Sequence, residues 1–245
     1  MPWILLVVAP FIGSFLGVLA MRLTDDRPVL WGRSTCDACG HRLAPADLIP
    51  IFSWAASRGR CRHCGARISW FYPAVEIAAM AVVVWAATET SGEVLLASCL
   101  LGWVLLALAL ADWRSFLLPD ALTICLLLSG FICAYLFDRD HMIDHLIGAL
   151  GGFLAFAAIA FVYRALRGRE GLGWGDAKFM AGAGAWLAWQ GLPTVVLFAV
   201  TLGFLFALTR TVTGRTVGPT DRIPLGTFLA GATWLVWVYG PLVFG

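Results

Sequence analysis

The sequence predicts an all-α polytopic membrane protein with about eight transmembrane helices and a small cytoplasmic zinc-binding segment. Hydrophobic residues form 60% of the 245 residues, and only 13% are charged. Apolar runs recur along the chain, and a run of roughly 20 residues crosses a hydrocarbon core of about 30 Å. The one long polar segment contains two Cys-x-x-Cys pairs. The composition excludes a soluble globular domain.

The apolar runs predict eight membrane spans, separated by charged or turn-forming residues. They cover about 2–21, 73–88, 94–111, 118–137, 143–163, 174–190, 193–210 and 223–243. The first span has no basic start and no small-residue cleavage site, so we do not expect it to be a cleaved signal peptide. The predicted domains are a first transmembrane helix (1–21), a cytoplasmic segment (22–72) and a seven-helix membrane domain (73–245).

Positively charged residues orient these spans. Cytoplasmic loops retain Lys and Arg, and of the 17 Lys and Arg residues all but Arg139 fall on one side of the predicted membrane. We therefore expect residues 22–72 on the cytoplasmic side and both termini outside. This bias accounts for the net charge of +2. Membrane lipid is an expected partner, and no nucleic acid is expected.

The cytoplasmic segment is predicted to hold one zinc ion. It is too short to bury a large core, and domains of this size often depend on a metal. Its four thiols suit tetrahedral zinc: Cys36, Cys39, Cys61 and Cys64. They lie in an internal repeat, CDACGHRL (36–43) and CRHCGARI (61–68), whose glycines allow backbone N–H groups to turn toward sulfur. His41 and His63 are expected to be solvated.

Other small and polar residues allow more ordinary interpretations. Gly13 and Gly17 in the first span predict close helix packing. Glu76, at the mouth of the second span, can reach the lipid headgroups or pair with an arginine, and the sequence leaves both open. The short polar loop 138–145 on the outer side is expected to be a solvated surface.

Two aspartates stand at the ends of predicted helices on the cytoplasmic side. Asp112 ends a long apolar run, whereas Asp176 follows a glycine-rich turn (171–175) and opens an apolar helix. A carboxylate in such surroundings is costly and is usually functional, although a helix-capping role for Asp176 is also open. Asp120 is predicted to be a first-turn residue of its helix, a position that the helix dipole favours.

A pair of aspartates can hydrolyse a peptide bond with water as the nucleophile. Like charges close together do not both ionise, so one carboxyl keeps a proton while the other takes a proton from water. Helix ends alone predict protonated Asp112 and ionised Asp176. The sequence has no G-x-S-x-G, H-E-x-x-H or P-loop motif. One alternative is a zinc-containing membrane scaffold or cation transporter that uses the same aspartates.

Taken together, these motifs resemble the type IV prepilin peptidase family of bifunctional leader peptidases and N-methyltransferases. The resemblance covers nearly the whole chain, and the G-x-G-D block is shared with presenilin-like intramembrane aspartyl proteases. The matching segments are GSFLGVLAMRL (13–23), RSTCDACGHRL (33–43), DLIPIFSW (47–54), RGRCRHCGARIS (58–69), YPAVE (72–76), Leu118-Pro119-Asp120 after Asp112, Gly173-Trp174-Gly175-Asp176 with Lys178, and Ile223-Pro224-Leu225-Gly226.

The resemblance implies a membrane-embedded aspartyl endopeptidase of the bacterial inner membrane, with Asp112 and Asp176 as catalytic residues and the four cysteines on structural zinc. Its substrates would be prepilins or pseudopilins with a short basic leader, cut at the cytoplasmic face. S-adenosylmethionine-dependent N-methylation of the new N-terminus would follow. Gly17, Asp37 and Leu48 depart from the family pattern, and all three fall in the half associated with methyl transfer. A methyltransferase without peptidase activity is a further alternative.

Overall fold

The computed structural model describes residues 2–24, 34–168, 172–213 and 223–242. Part of the predicted zinc segment (25–33), Gly171 and the end of the last predicted span therefore lie outside the described residues. The α-helices of this part of the chain are α1 (Pro2–Thr24), α2 (Phe52–Ala56), α3 (Phe71–Glu89), α4 (Gly92–Ser115), α5 (Asp120–Phe137), α6 (Met142–Arg167), α7 (Trp174–Val212) and α8 (Leu225–Tyr239).

Six of these helices are long and apolar enough to cross a membrane, judged by length and composition, namely α1 and α3 to α7. α8 is apolar but shorter. The prediction of an all-helical polytopic membrane protein is confirmed. The chain divides into two compact units, Met1–Ala107 and Leu108–Gly245.

In the first unit, α1 packs against α3, and the approach is close enough to require small residues. A Cβ atom added at Gly13 would lie 2.7 Å from the Cα of Glu76 and 2.9 Å from the Cβ of Ala79. No real side chain fits at such distances, so the close packing predicted from the glycines of α1 is present. The indole N–H of Trp103 donates to the carbonyl of Ala79 and ties α4 to α3.

In the second unit, α7 reverses direction at Ala188. This residue has φ 55° and ψ −177°, a conformation that breaks the helix. A Cβ added at Gly152 of α6 would lie 2.7 Å from the carbonyl oxygen of Met180, before the break, and 3.0 Å from Leu192, after it. Both halves of α7 therefore lie against the same part of α6. The break separates the two spans predicted over 174–190 and 193–210.

The start of α6 holds this reversal in place. The carboxylate of Asp144 accepts hydrogen bonds from the side chains of Trp189 and Gln190, just after the break. His145 Nδ1 lies 2.9 Å from the carbonyl oxygen of Ala185, just before it. The expectation of a solvated surface is wrong for His145, which is only 6% exposed, because the helix break leaves a carbonyl group that needs a partner.

Candidate active site and metal site

The carboxylate of Asp112 is buried where the end of α4 meets the start of α8. The Asp112 side chain lies within the second unit and is 5% exposed. The first turn of a helix has free N–H groups, and the N–H of Thr227 donates to Asp112 Oδ2 over 2.8 Å. The Thr227 hydroxyl lies 3.2 Å from the same oxygen. The N–H of Gly226 also points to this carboxylate.

Asp176 occupies the first turn of α7, where it is half-buried. Its Oδ2 accepts a hydrogen bond from the N–H of Gly173 over 3.2 Å, which is the capping interaction that the sequence left open. Asp176 also lies near enough to Asp112 for their charges to interact. The capping and pairing interpretations are therefore both satisfied by one side chain.

Each carboxylate faces the N-terminus of a helix, Asp176 that of α7 and Asp112 that of α8. The sequence shows only the helix that carries each residue, and on that basis alone Asp112 lies at an unfavourable C-terminus. With α8 in place, helix ends no longer distinguish the two aspartates. Both helix ends favour the ionised form of the carboxyl group beside them.

The segment between α4 and α5 packs beside the two aspartates. A Cβ added at Gly175 would lie 3.0 Å from the Cβ of Leu118, and one added at Gly226 would lie 2.9 Å from a methyl carbon of Leu118. These glycines are therefore needed for close approach. Asp120 begins α5 as predicted, and its carboxylate accepts a hydrogen bond of 2.6 Å from Lys178. This pair joins the first turns of α5 and α7.

Thr227, which contacts Asp112 through two groups, is not among the site residues predicted from the sequence. In the sequence, the preceding segment Ile223-Pro224-Leu225-Gly226 stands out only as part of a motif. A proline and a glycine before an apolar run indicate a helix start with free N–H groups. That signal predicts a negatively charged group near residues 226 and 227. It does not identify Asp112 as that group.

The four cysteine sulfurs form one compact cluster in the first unit. All four sulfur atoms lie within 4.8 Å of one another, and those of Cys36 and Cys64 are 3.9 Å apart. Four sulfurs around zinc, each at about 2.3 Å, would be about 3.8 Å apart. The cluster therefore fits a tetrahedral metal ion. The rings of His41 and His63 are exposed and stack on each other, with centroids 4.2 Å apart.

The two halves of the repeat adopt the same turn. Gly40 donates its N–H to the carbonyl of Cys36, and Gly65 does the same to Cys61. Both glycines have positive φ, 68° and 73°, which a residue with a side chain rarely adopts. The predicted role of these two glycines is confirmed, because the turn aims backbone N–H groups at sulfur.

The thiols of this cluster influence one another strongly. Backbone N–H groups of Cys39 and Ala38 donate toward the Cys36 sulfur and lower the pKa of Cys36 to about 7. The N–H of Ala66 favours the Cys64 thiolate, but the neighbouring thiols, Cys39 first, together with desolvation outweigh it and raise the pKa of Cys64 to about 11. Thiolates so close together need a cation to neutralise them, which is what a bound metal would supply.

Glu76 has a role that neither sequence interpretation anticipated. It is 5% exposed, and its Oε2 accepts a hydrogen bond of 2.7 Å from the N–H of Ile51. The Ser14 hydroxyl is a second partner. Ile51 has φ 60°, a rare and strained conformation for a β-branched residue. Glu76 therefore fastens the zinc segment to α3 and α1 within the first unit.

Comparison with known proteins agrees with this arrangement. The model of the bacterial peptidase A24 N-terminal domain matches residues 7–90, and that of the type IV leader peptidase family matches residues 99–208. Relatives named prepilin leader peptidase/N-methyltransferase occur in Aeromonas salmonicida (strain A449), Burkholderia pseudomallei (strain 1026b) and Pseudomonas putida.

The Aeromonas relative is 36% identical over 98% of this chain and 92% of its own length. The Burkholderia relative is 36% identical over 92% of this chain and 81% of its own length. The Pseudomonas relative is 33% identical over 97% of this chain and 90% of its own length. No solved structure matches the chain. These alignments run through both the cysteine cluster and the aspartate pair, and the chain therefore belongs to the type IV leader peptidase family.

Proposed function

We propose that this protein is a membrane aspartyl endopeptidase that removes the short basic leader of type IV prepilins or pseudopilins, with Asp112 and Asp176 as its catalytic residues. The observation that carries the proposal is that these two carboxylates, at the end of α4 and the start of α7, lie within reach of each other's charge. The family match and the printed names of the relatives give the substrate class.

The chemistry follows from the shared charge of the pair. One carboxyl holds a proton and donates it to the carbonyl oxygen of the scissile bond, while the other accepts a proton from the attacking water. The carbon–nitrogen bond then breaks as the second carboxyl passes the proton it took from water to the leaving amine, and the first carboxyl regains its proton from a hydroxyl of the tetrahedral intermediate. The N–H groups of Gly226, Thr227 and Gly173 hold the two carboxylates in place through these proton transfers.

The cysteine cluster is proposed to hold one structural zinc ion. Cys36, Cys39, Cys61 and Cys64 would bind the ion as thiolates and fix both turns of the repeat. We assign the ion no part in peptide cleavage. Removing it would release the turns, because metal binding and folding are coupled in so small a segment.

The relatives' names also support a second activity, N-methylation of the new N-terminus with S-adenosylmethionine. The methyl group would pass from the sulfonium of the cofactor to the freed amine. The support for this assignment is the N-methyltransferase name of these relatives. A scaffold, a cation transporter or a methyltransferase without peptidase activity is not favoured by the family match.

We further propose the bacterial inner membrane as the location, with the zinc segment (22–72) and both aspartates on the cytoplasmic side and the termini outside. The distribution of Lys and Arg supports this orientation. The proposed domains remain the first helix (1–21), the zinc segment and the seven-helix peptidase domain (73–245), in contact with membrane lipid.

The test is cleavage of a prepilin peptide by the purified protein in detergent. The peptide carries a basic leader, a glycine at the cut and an apolar helix. Asp112→Asn and Asp176→Asn should each abolish cleavage, while Asp140→Asn, at an exposed acid near the turn between α5 and α6, should cleave normally. Robust cleavage by either site variant would refute the aspartyl mechanism. Methylation of a pre-cleaved peptide, measured separately, tests the second activity.

A further inference from the structure

The Thr227 hydroxyl lies between two oxygen atoms that both accept hydrogen bonds. It is 3.2 Å from Asp112 Oδ2 and 3.1 Å from the carbonyl oxygen of Ala109, one turn earlier in α4. The N–H of Thr227 donates to the same Oδ2 over 2.8 Å. Thr227 therefore contacts Asp112 through two groups, of which only the hydroxyl can change its hydrogen-bonding role.

A threonine hydroxyl has one proton to donate and lone pairs that accept. The Ala109 carbonyl only accepts, and so does an ionised aspartate. When Asp112 is ionised, two acceptors compete for one proton, and a charged acceptor forms the stronger hydrogen bond. When Asp112 carries a proton on Oδ2, that proton can be donated to the Thr227 oxygen, and the Thr227 proton is free for Ala109.

We propose that Thr227 is a positioning residue whose hydroxyl proton follows the protonation state of Asp112, donating to Asp112 when it is ionised and to the Ala109 carbonyl when it is protonated. The inference rests on the proposed aspartyl mechanism, in which the carboxylates exchange protons during each turnover. In both states the Thr227 proton has an acceptor within 3.2 Å, and only hydrogen atoms have to move.

This arrangement matters because a catalytic group works best when its surroundings need no reorganisation. The N–H of Thr227 fixes the carboxylate of Asp112 in one orientation, and the hydroxyl adapts to the charge without moving a heavy atom. An isosteric valine would keep the N–H and the shape but would lose the adaptable partner. The change in kcat caused by this substitution therefore measures the contribution of the hydroxyl alone.

The experiment compares Thr227→Val and Thr227→Ser in the peptide-cleavage assay. Thr227→Val should lower kcat by about 10- to 100-fold, since it removes a hydrogen bond to a charged group, while KM stays near the wild-type value because Thr227 acts through Asp112. Thr227→Ser keeps the hydroxyl and should restore most of kcat. Thr233→Val is the matched control.

Thr233 lies two turns further along α8 and is fully buried, and its hydroxyl has no hydrogen-bond partner among the residues described. Thr233→Val makes the same chemical change away from Asp112 and should leave kcat unchanged. Wild-type kcat in Thr227→Val would overturn the inference. So would equal losses in Thr227→Val and Thr227→Ser, or in Thr227→Val and Thr233→Val. If Thr227→Val does not fold, Thr227→Ala, which adds no bulk, is judged by the same outcomes.

Asp112→Asn, measured in parallel, separates this inference from the proposed mechanism. If Asp112→Asn is inactive and Thr227→Val is fully active, the inference alone fails. If Asp112→Asn cleaves at the wild-type rate, the aspartyl mechanism fails and the role of Thr227 fails with it.

Discussion

Gly226 is the position where one added methyl group most directly tests the packing around Asp112. The new Cβ of Gly226→Ala would lie 3.0 Å from the Asp112 Cγ, and 2.9 and 3.0 Å from the two methyl carbons of Leu118. Carbon atoms in contact normally stay about 3.5–4.0 Å apart. Asp112 or Leu118 must therefore move by roughly 0.5 Å or more.

The expected loss is larger in catalysis than in stability. Overpacking costs about 1–3 kcal/mol, while replacing a helical glycine by alanine returns up to about 1 kcal/mol. The free energy of unfolding should fall by about 2 kcal/mol or less, which leaves a typical protein folded. A displaced carboxylate loses its alignment with water and peptide, and misplacement by about 1 Å can cost about 100-fold in rate. We expect cleavage by Gly226→Ala to fall by about 10- to 100-fold.

Gly151→Ala provides the matched control, because Gly151 lies in α6 and an added Cβ meets no atom within 4 Å. Its cleavage rate should match the wild type, and its unfolding temperature should be unchanged or slightly higher. Peptide cleavage and thermal unfolding in the same detergent measure both effects. Wild-type cleavage by Gly226→Ala would show that Leu118 and Asp112 are not packed as described. An equal loss in Gly151→Ala would show that the effect is not specific to the site.

Three other predictions concern the zinc segment and the ion pair. Metal analysis should find one zinc per chain. Either Cys36→Ser or a chelator should remove the zinc and make the segment sensitive to protease, and a metal-free segment that resists protease would contradict this prediction. Glu76→Ala should release the Ile51 turn and raise the protease sensitivity of the segment without loss of zinc. Glu76→Gln should raise it less, because the amide oxygen can still accept a hydrogen bond from the Ile51 N–H. Equal protease sensitivity in the two variants would argue against this hydrogen bond. Lys178→Met and Asp120→Asn should each lower the free energy of unfolding by about 1 kcal/mol or less, since the pair is largely exposed. The double variant should lose no more stability than either single variant. Additive losses in unfolding experiments would show that the two residues act independently.

Features encoded in short stretches of sequence were predicted well. The two Cys-x-x-Cys-Gly turns depend on a few adjacent residues, and the glycines permit the positive φ that aims N–H groups at sulfur. The start of α5 at Asp120 follows from the preceding proline in the same local way. The apolar runs predict the helices themselves because helix length and polarity are fixed by the bilayer.

Contacts between distant parts of the chain were not predicted, because local patterns carry no information about them. Thr227 reaches Asp112 across 115 positions, and nothing near either residue identifies the other. The Glu76–Ile51 bond and the contact between His145 and Ala185 are of the same kind. In each case a buried polar group needs a partner, but only packing decides which backbone group is close enough.

The reversal of α7 at Ala188 has a consequence for the depth at which water reaches the site. The helical turns from Trp174 to Leu187 rise about 21 Å at about 1.5 Å per residue, which is less than the roughly 30 Å of a hydrocarbon core. A helix this short makes the bilayer thin around it or draws the polar boundary inward. Asp176 lies at one end of this half-helix. The bilayer around it should therefore be locally thinned and hydrated. A peptide bond just inside the membrane can then meet water without leaving the lipid.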